Sequence, residues 1–159
     1  MVKKISLFTF VLFFIMSSCS KDENVLELEQ ENNAIVELSI SYEIFNLVNK
    51  HRQDLGKSTL IRSSKADELA LEHCNFMISA GKISHANFDQ RFKELQQNVN
   101  ASAAGENVAA GYSTAVKVME AWLESQGHKE NIEGNYTHIG IAAIKDSKGN
   151  YYFTQLFYR

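Results

Sequence analysis

The chain has no proline in 159 residues, so its turns cannot rest on a fixed φ and must come from Gly, Asn, Asp or Ser. It has two cysteines, Cys19 and Cys74, too few for a disulfide scaffold. The formal net charge is −3, which leaves no electrostatic footprint for nucleic acid. Common chemical signatures are missing as well. There is no His-Glu-x-x-His, no Cys-x-x-Cys, no Gly-x-Ser-x-Gly elbow and no glycine-rich phosphate loop. The zinc-deaminase pattern is excluded too, because its second half needs a proline. What remains is ordinary globular composition, 45% hydrophobic and 22% charged, with ten Phe and six Tyr to fill a core. The length suits one domain of roughly 100–200 residues.

The single long apolar run is N-terminal. Residues 1–18 read as an export signal, with Lys3 and Lys4 ahead of an apolar stretch over 5–16 broken only by Ser6 and Thr9. That stretch falls short of the roughly 20 residues that span a bilayer. Met16-Ser17-Ser18-Cys19 resembles a bacterial lipoprotein signal, with Met16 at the usual Leu position. The resemblance implies lipidation of Cys19 and a chain exported and anchored through it to an outer membrane. Ser20-Lys21-Asp22-Glu23 is similar to a surface-export tag of some Gram-negative lipoproteins. Residues 19–38, carrying Glu27, Glu29 and Glu31, read as a solvated acidic tether. Loss of Lys3 and Lys4 with the signal takes the formal charge from −3 to near −5.

The domain is expected over 39–159. Leu38, Tyr42, Phe45, Val48 and Arg52 recur at helical spacing and Gly56 is a stop. Ser64 to Asp67 has the form of a capping box, opening a helix with Ala66, Leu69, Ala70, Cys74 and Met77 on one face. His73 on that helix reads as a packing histidine. Neighbouring helical positions do not face each other, so His73 and Cys74 make no catalytic pair, and Cys74 reads as a buried free thiol. Asn87 caps a short helix. Gly105 to Gly111 reads as a strand, followed by a helix capped by Ser113 with Ala115, Val118, Met119 and Trp122 inward, ending near Gly127. Two alternating runs, 136–145 and 151–158, are joined by a turn over 146–150. The order indicates an α+β or layered fold.

The strand carrying Glu106 and Asn107 is the chemical centre of this reading. Strand neighbours face opposite ways, so only one of the two can enter a given pocket. Glu106 is expected to meet His85 and His128 in one cleft.

These pieces together resemble the CAP superfamily (cysteine-rich secretory, antigen 5 and pathogenesis-related 1 proteins; SCP domain), in its small bacterial form. The resemblance rests on Asn49 and Arg52, on Leu69, Ala70, His73 and Met77, and on Ser84-His85. It continues through Gly105-Glu106-Asn107, Trp122 to His128, Ile139-Gly140-Ile141 and Thr154-Gln155-Leu156-Phe157. It implies a three-layer α-β-α sandwich with a central antiparallel sheet and a cleft of histidines and glutamates. Tyr152 stands where the eukaryotic motif has its second His, and Ser125 where it has its second Glu.

Two imidazoles and a carboxylate can hold Zn²⁺ with a position open for water, so His85, Glu106 and His128 are the candidate ligands of Zn or Ca. Asn107, His138, Tyr152 and Gln155 are expected to line the cleft. Three functions are open. One is an exported, lipid-anchored module binding a divalent metal or a small-molecule, lipid, glycan or peptide ligand. Another is a hydrolase of peptides or envelope polymers with Glu106 as candidate catalytic group. The last is a structural or adhesive surface protein whose cleft is a hydrogen-bonded network only.

Overall fold

The computed structural model describes residues 21–159; the export signal and Cys19 lie outside the described residues. In chain order the elements are α1 (Lys21–Asp54), β1 (Ile61–Arg62), α2 (Ser64–Ala80), α3 (Phe88–Val99), β2 (Ala104–Ala110), α4 (Ala115–Glu124), α5 (Gln126–Glu133), β3 (His138–Lys145) and β4 (Tyr151–Tyr158). The sheet runs β1-β3-β4-β2. β4 pairs antiparallel with β3 and β2, while the two residues of β1 run parallel to β3.

Alternation along the strands builds the layers. Ala109, Ile139, Ile141, Phe153 and Phe157 face a core shared with Ile44, Val48, Val118, Trp122 and Ile132 of α1, α4 and α5. The opposite face buries Leu156 and Tyr158 with Ala66, Leu69 and Leu95, and Val108 and Ala142 with Ala70, Cys74 and Met77. Helices therefore cover both faces, and the fold is the α-β-α sandwich. Cys74 is fully buried. Burial pushes its thiol up to about 12, which leaves it an inert core group.

Several local expectations shift by a residue or more. The acidic 19–38 stretch is helical from Lys21 onward, with no Gly or Pro to interrupt 21–54. Its buried stripe is Ser41, Ile44, Val48 and Arg52, whereas Leu38 and Tyr42 stay exposed. Arg52 is inward because its guanidinium donates to the carbonyls of Ser58, Ile132 and Gly134 and ties α1 to the end of α5. Ser63, not Ser64, caps α2, its hydroxyl accepting from the Ala66 N–H. Asp67 is thereby free to accept from the Ile141 N–H at 2.7 Å and from Arg62. Thr114 replaces Ser113 as the cap of α4. His128 lies inside α5 rather than beyond a break.

The first turn of α2 sits directly on Gly140 of β3. A Cβ there would overlap the backbone of Ala66 and Asp67, and backbone cannot swing aside as a side-chain tip can. Gly140→Ala is expected to cost about 1–3 kcal/mol or more, read as a lowered urea midpoint; an unchanged midpoint would show that α2 does not rest on this glycine.

Candidate functional site

Glu106 projects from β2 toward α2 and α3, and its side chain is 2% exposed. A carboxylate in such a place needs compensation. Arg91 of α3 supplies it in the bidentate manner: Nε donates to Oε2 at 2.7 Å and Nη2 to Oε1 at 2.8 Å. Arg91 also donates to the Ala86 carbonyl, fixing the loop between α2 and α3. From that loop His85 places Nδ1 2.9 Å from Glu106 Oε1. A carboxylate only accepts, so Nδ1 is the donor, and in the corresponding tautomer the free lone pair lies on Nε2. The His85 side chain is 56% exposed, so one buried acid orients one accessible imidazole.

His73 supports the arrangement from beneath. Its Nε2 donates to the Ser84 carbonyl at 2.7 Å and lies 3.7 Å from Glu106. Burial first lowers its pKa, against the opposing pull of Glu106, so the neutral ring is favoured. It is a packing histidine with a second duty, the positioning of the residue just before His85.

Asn107 points the other way. It donates to the His128 carbonyl and to Gln155 Oε1, each at 3.0 Å, and accepts from Asn131. Asn131 also donates to the Glu106 carbonyl, so α5 clamps β2 at both residues. His128 Nδ1 and Gln155 Nε2 are buried without a hydrogen-bond partner among the described residues. Burial, then the charge of His85, lowers the pKa of His128.

The predicted site is thus partly assembled. His85 and Glu106 meet. A cleft of about 280 Å³ beside them is lined by Phe88, Ala104, Gly105 and Asn131. His128 belongs instead to a neighbouring hollow of about 250 Å³ with Ile83, Tyr112, Trp122 and Ser125. Asn107 and Gln155 sit in the network on the opposite sheet face, not in the Glu106 cleft. Tyr152 packs with Cys74, Val108 and Ala142 against α2. His138 is stacked on Tyr158 with centroids 4.7 Å apart and bonds Thr137, so it lines neither hollow.

The three-ligand centre of His85, Glu106 and His128 is not formed. Among the described residues no group of three or more His, Cys, Asp or Glu side chains stands close enough to hold a metal ion. The donor set does not fit a divalent cation either, because both Glu106 oxygens already accept from a guanidinium whose fixed charge repels one. Arg91 is the residue that the sequence reading missed. Phe88, Arg91, Phe92 and Leu95 follow helical spacing, and a charge on that apolar face was the signal that it has a buried partner.

An α-β-α sandwich with a His–Glu cleft beside β2 defines an SCP domain. The model of the cysteine-rich secretory protein (CAP) family matches residues 45–157, and the chain belongs to that family. It is 30% identical over 109 residues to the uncharacterized protein YkwD of Bacillus subtilis (strain 168), covering 64% of this chain and 41% of that protein. An extracellular SCP-domain protein from Bacillus anthracis str. Ames is 27% identical in structure-based comparison, with TM-score 0.70, covering 81% of this chain and 43% of that one. An outer surface protein from Borrelia burgdorferi shares the fold at 23% identity and TM-score 0.66, covering 72% of this chain and 88% of that one. The chain spans less than half the length of the Bacillus proteins.

Two outcomes test this geometry. Arg91→Met leaves a buried carboxylate unpaired and is expected to cost about 3–5 kcal/mol, with much of the loss recovered by adding Glu106→Leu; denaturant midpoints for the single and double variants decide it, and an additive double variant would deny the pairing. The pH dependence follows from the lowered pKa of His73 and His128. Between those folded-state values and the unfolded value near 6.5, the unfolded chain binds more protons. Stability is therefore fully present above about pH 6.5 and falls on acidification below it. Denaturant midpoints at pH 7.5 and 5.5 should show this fall, and His73→Gln should make it shallower; an unaltered difference would mean that His73 titrates normally.

Proposed function

We propose that this is an exported, lipid-tethered binding module in which the His85 cleft receives hydroxyl or amide groups of a small or extended ligand. One observation carries the reading: an accessible imidazole is held in a fixed direction by a carboxylate that is itself buried and clamped. Held this way, Nε2 is an acceptor without a protein partner among the described residues. Phe88 beside it offers an apolar wall, and that mixture suits the hydroxyl-rich, partly apolar faces of a glycan or the amides of a peptide.

Export is supported by the signal-like N-terminus and by the likeness to an extracellular SCP-domain protein of Bacillus anthracis. Tethering rests on Met16-Ser17-Ser18-Cys19. A hydrolytic second reading has one observation in its favour, since a buried acid on Nδ1 is the orienting half of an acid–base pair.

Glycan and peptide arrays, probed with the wild-type protein and with His85→Ala, test the proposal. Specific hits that weaken at least tenfold in the variant, with the thermal midpoint unchanged, are the expected result. Hits indifferent to His85, or none at all, would leave the cleft a structural network. Turnover of an array member that disappears in His85→Ala would move the reading to the hydrolase.

A further inference from the structure

α1 carries two stripes, and the sandwich uses one. At 1.5 Å per residue its 34 residues reach roughly 50 Å, yet among the described residues the first buried side chain is Ser41. The inward stripe is Ser41, Ile44, Val48 and Arg52. Val25, Leu28, Ile35 and Leu38 are 54–64% exposed. With 100° per residue, Val25, Leu28, Asn32, Ile35 and Ser39 form a line on roughly the far side of the helix from the inward stripe.

Their spacing is the heptad seam: Val25, Asn32 and Ser39 at a, Leu28 and Ile35 at d. Tyr42 would take the next d position, and there the seam ends against the sandwich, where Arg62 lies 5.4 Å from the Tyr42 ring. We infer that this outer stripe of α1 is an interface with a second copy of the same chain, as a short parallel two-stranded coiled coil in register.

Three features select that occupant. The first heptad pairs β-branched Val25 at a with Leu28 at d, the combination that favours two parallel strands, and a polar Asn at a in the second fixes strand number and register. Asn32 meets the second copy's Asn32 only in a parallel, in-register pair, where the two amides bond each other. Antiparallel packing sets a against d and would bury Asn32 on Ile35. In the parallel register Glu43 at e faces Leu38 at g of the other copy, and none of Glu29, Glu31 and Glu43 faces another of these acids. The acidic residues that read as a tether thus occupy the flanks of a seam. The interface places both N-termini at one end, the arrangement that two tethered copies would share, although it needs neither the lipid nor a ligand in the cleft.

The test uses the full chain carrying Cys19→Ser in detergent micelles, where Cys74 is buried and silent. With Leu28→Cys added, mild oxidation should give at least tenfold more disulfide-linked dimer than Glu27→Cys, a neighbour off the seam. Sedimentation of the Cys19→Ser protein should give a dimer mass, and Ile35→Lys should return a monomer with unchanged thermal midpoint, because Ile35 touches no core. Equal crosslinking at positions 27 and 28, or a monomer at every concentration, would overturn the inference. So would a monomer that binds neutral-lipid vesicles through Leu28 and Ile35, which would assign the stripe to a lipid surface.

Discussion

A single carboxylate, Glu106, is buried to all but 2% of its side-chain surface, and much of the site's geometry is the answer to that constraint. An unpaired charge at this depth would be expelled or neutralised. Arg91 meets it with both ends of its fork, and this decides where α3 can lie on the sheet. The same guanidinium holds the Ala86 carbonyl, so the α2–α3 loop is pinned by the group that neutralises the acid. His85 then has little choice of direction. His73, deeper still, fixes the carbonyl of Ser84. The exposed imidazole is the outermost member of a chain of interactions that begins in the core.

β2 divides the neighbourhood in two. Because side chains alternate, Glu106 serves the α2–α3 layer and Asn107 the α5 layer. Asn131 joins them by donating to the backbone of one and the side chain of the other. Gly105 allows this closeness, since a Cβ there would fall 2.5 Å from the Tyr136 hydroxyl and 2.6 Å from Asn131 Oδ1. The division also explains why two histidines close in character are apart in role. His85 is held by a charge, whereas His128 is held through its backbone and keeps a buried nitrogen without a partner among the described residues.

Much of the sandwich was legible in the residues themselves. The β3–β4 hairpin, the inward face of α4 and the opposite orientation of Glu106 and Asn107 follow from period and turn chemistry alone. β1 was not legible, since two residues carry no period; only its pairing with β3 defines it. The meeting of His85 with Glu106 came from the family resemblance and from residue chemistry. His128 was placed by the same resemblance, and its ring lines a separate hollow with Trp122 and Ser125 instead of bonding Glu106. Arg91 was hidden for a different reason: a charged residue on an apolar helix face is ambiguous until its partner is known. The helical 21–38 segment was masked by its acidity, although its composition favours helix throughout.

The direct measurement of the central claim is the tautomer of His85, read from the ¹⁵N shifts of its imidazole by long-range proton–nitrogen correlation above pH 7.5. The Nδ1–H tautomer is the predicted result, because a carboxylate fixed by Arg91 can only accept there. A ring carrying its proton on Nε2, the preference of a free imidazole, would contradict the account and detach the exposed histidine from the buried acid.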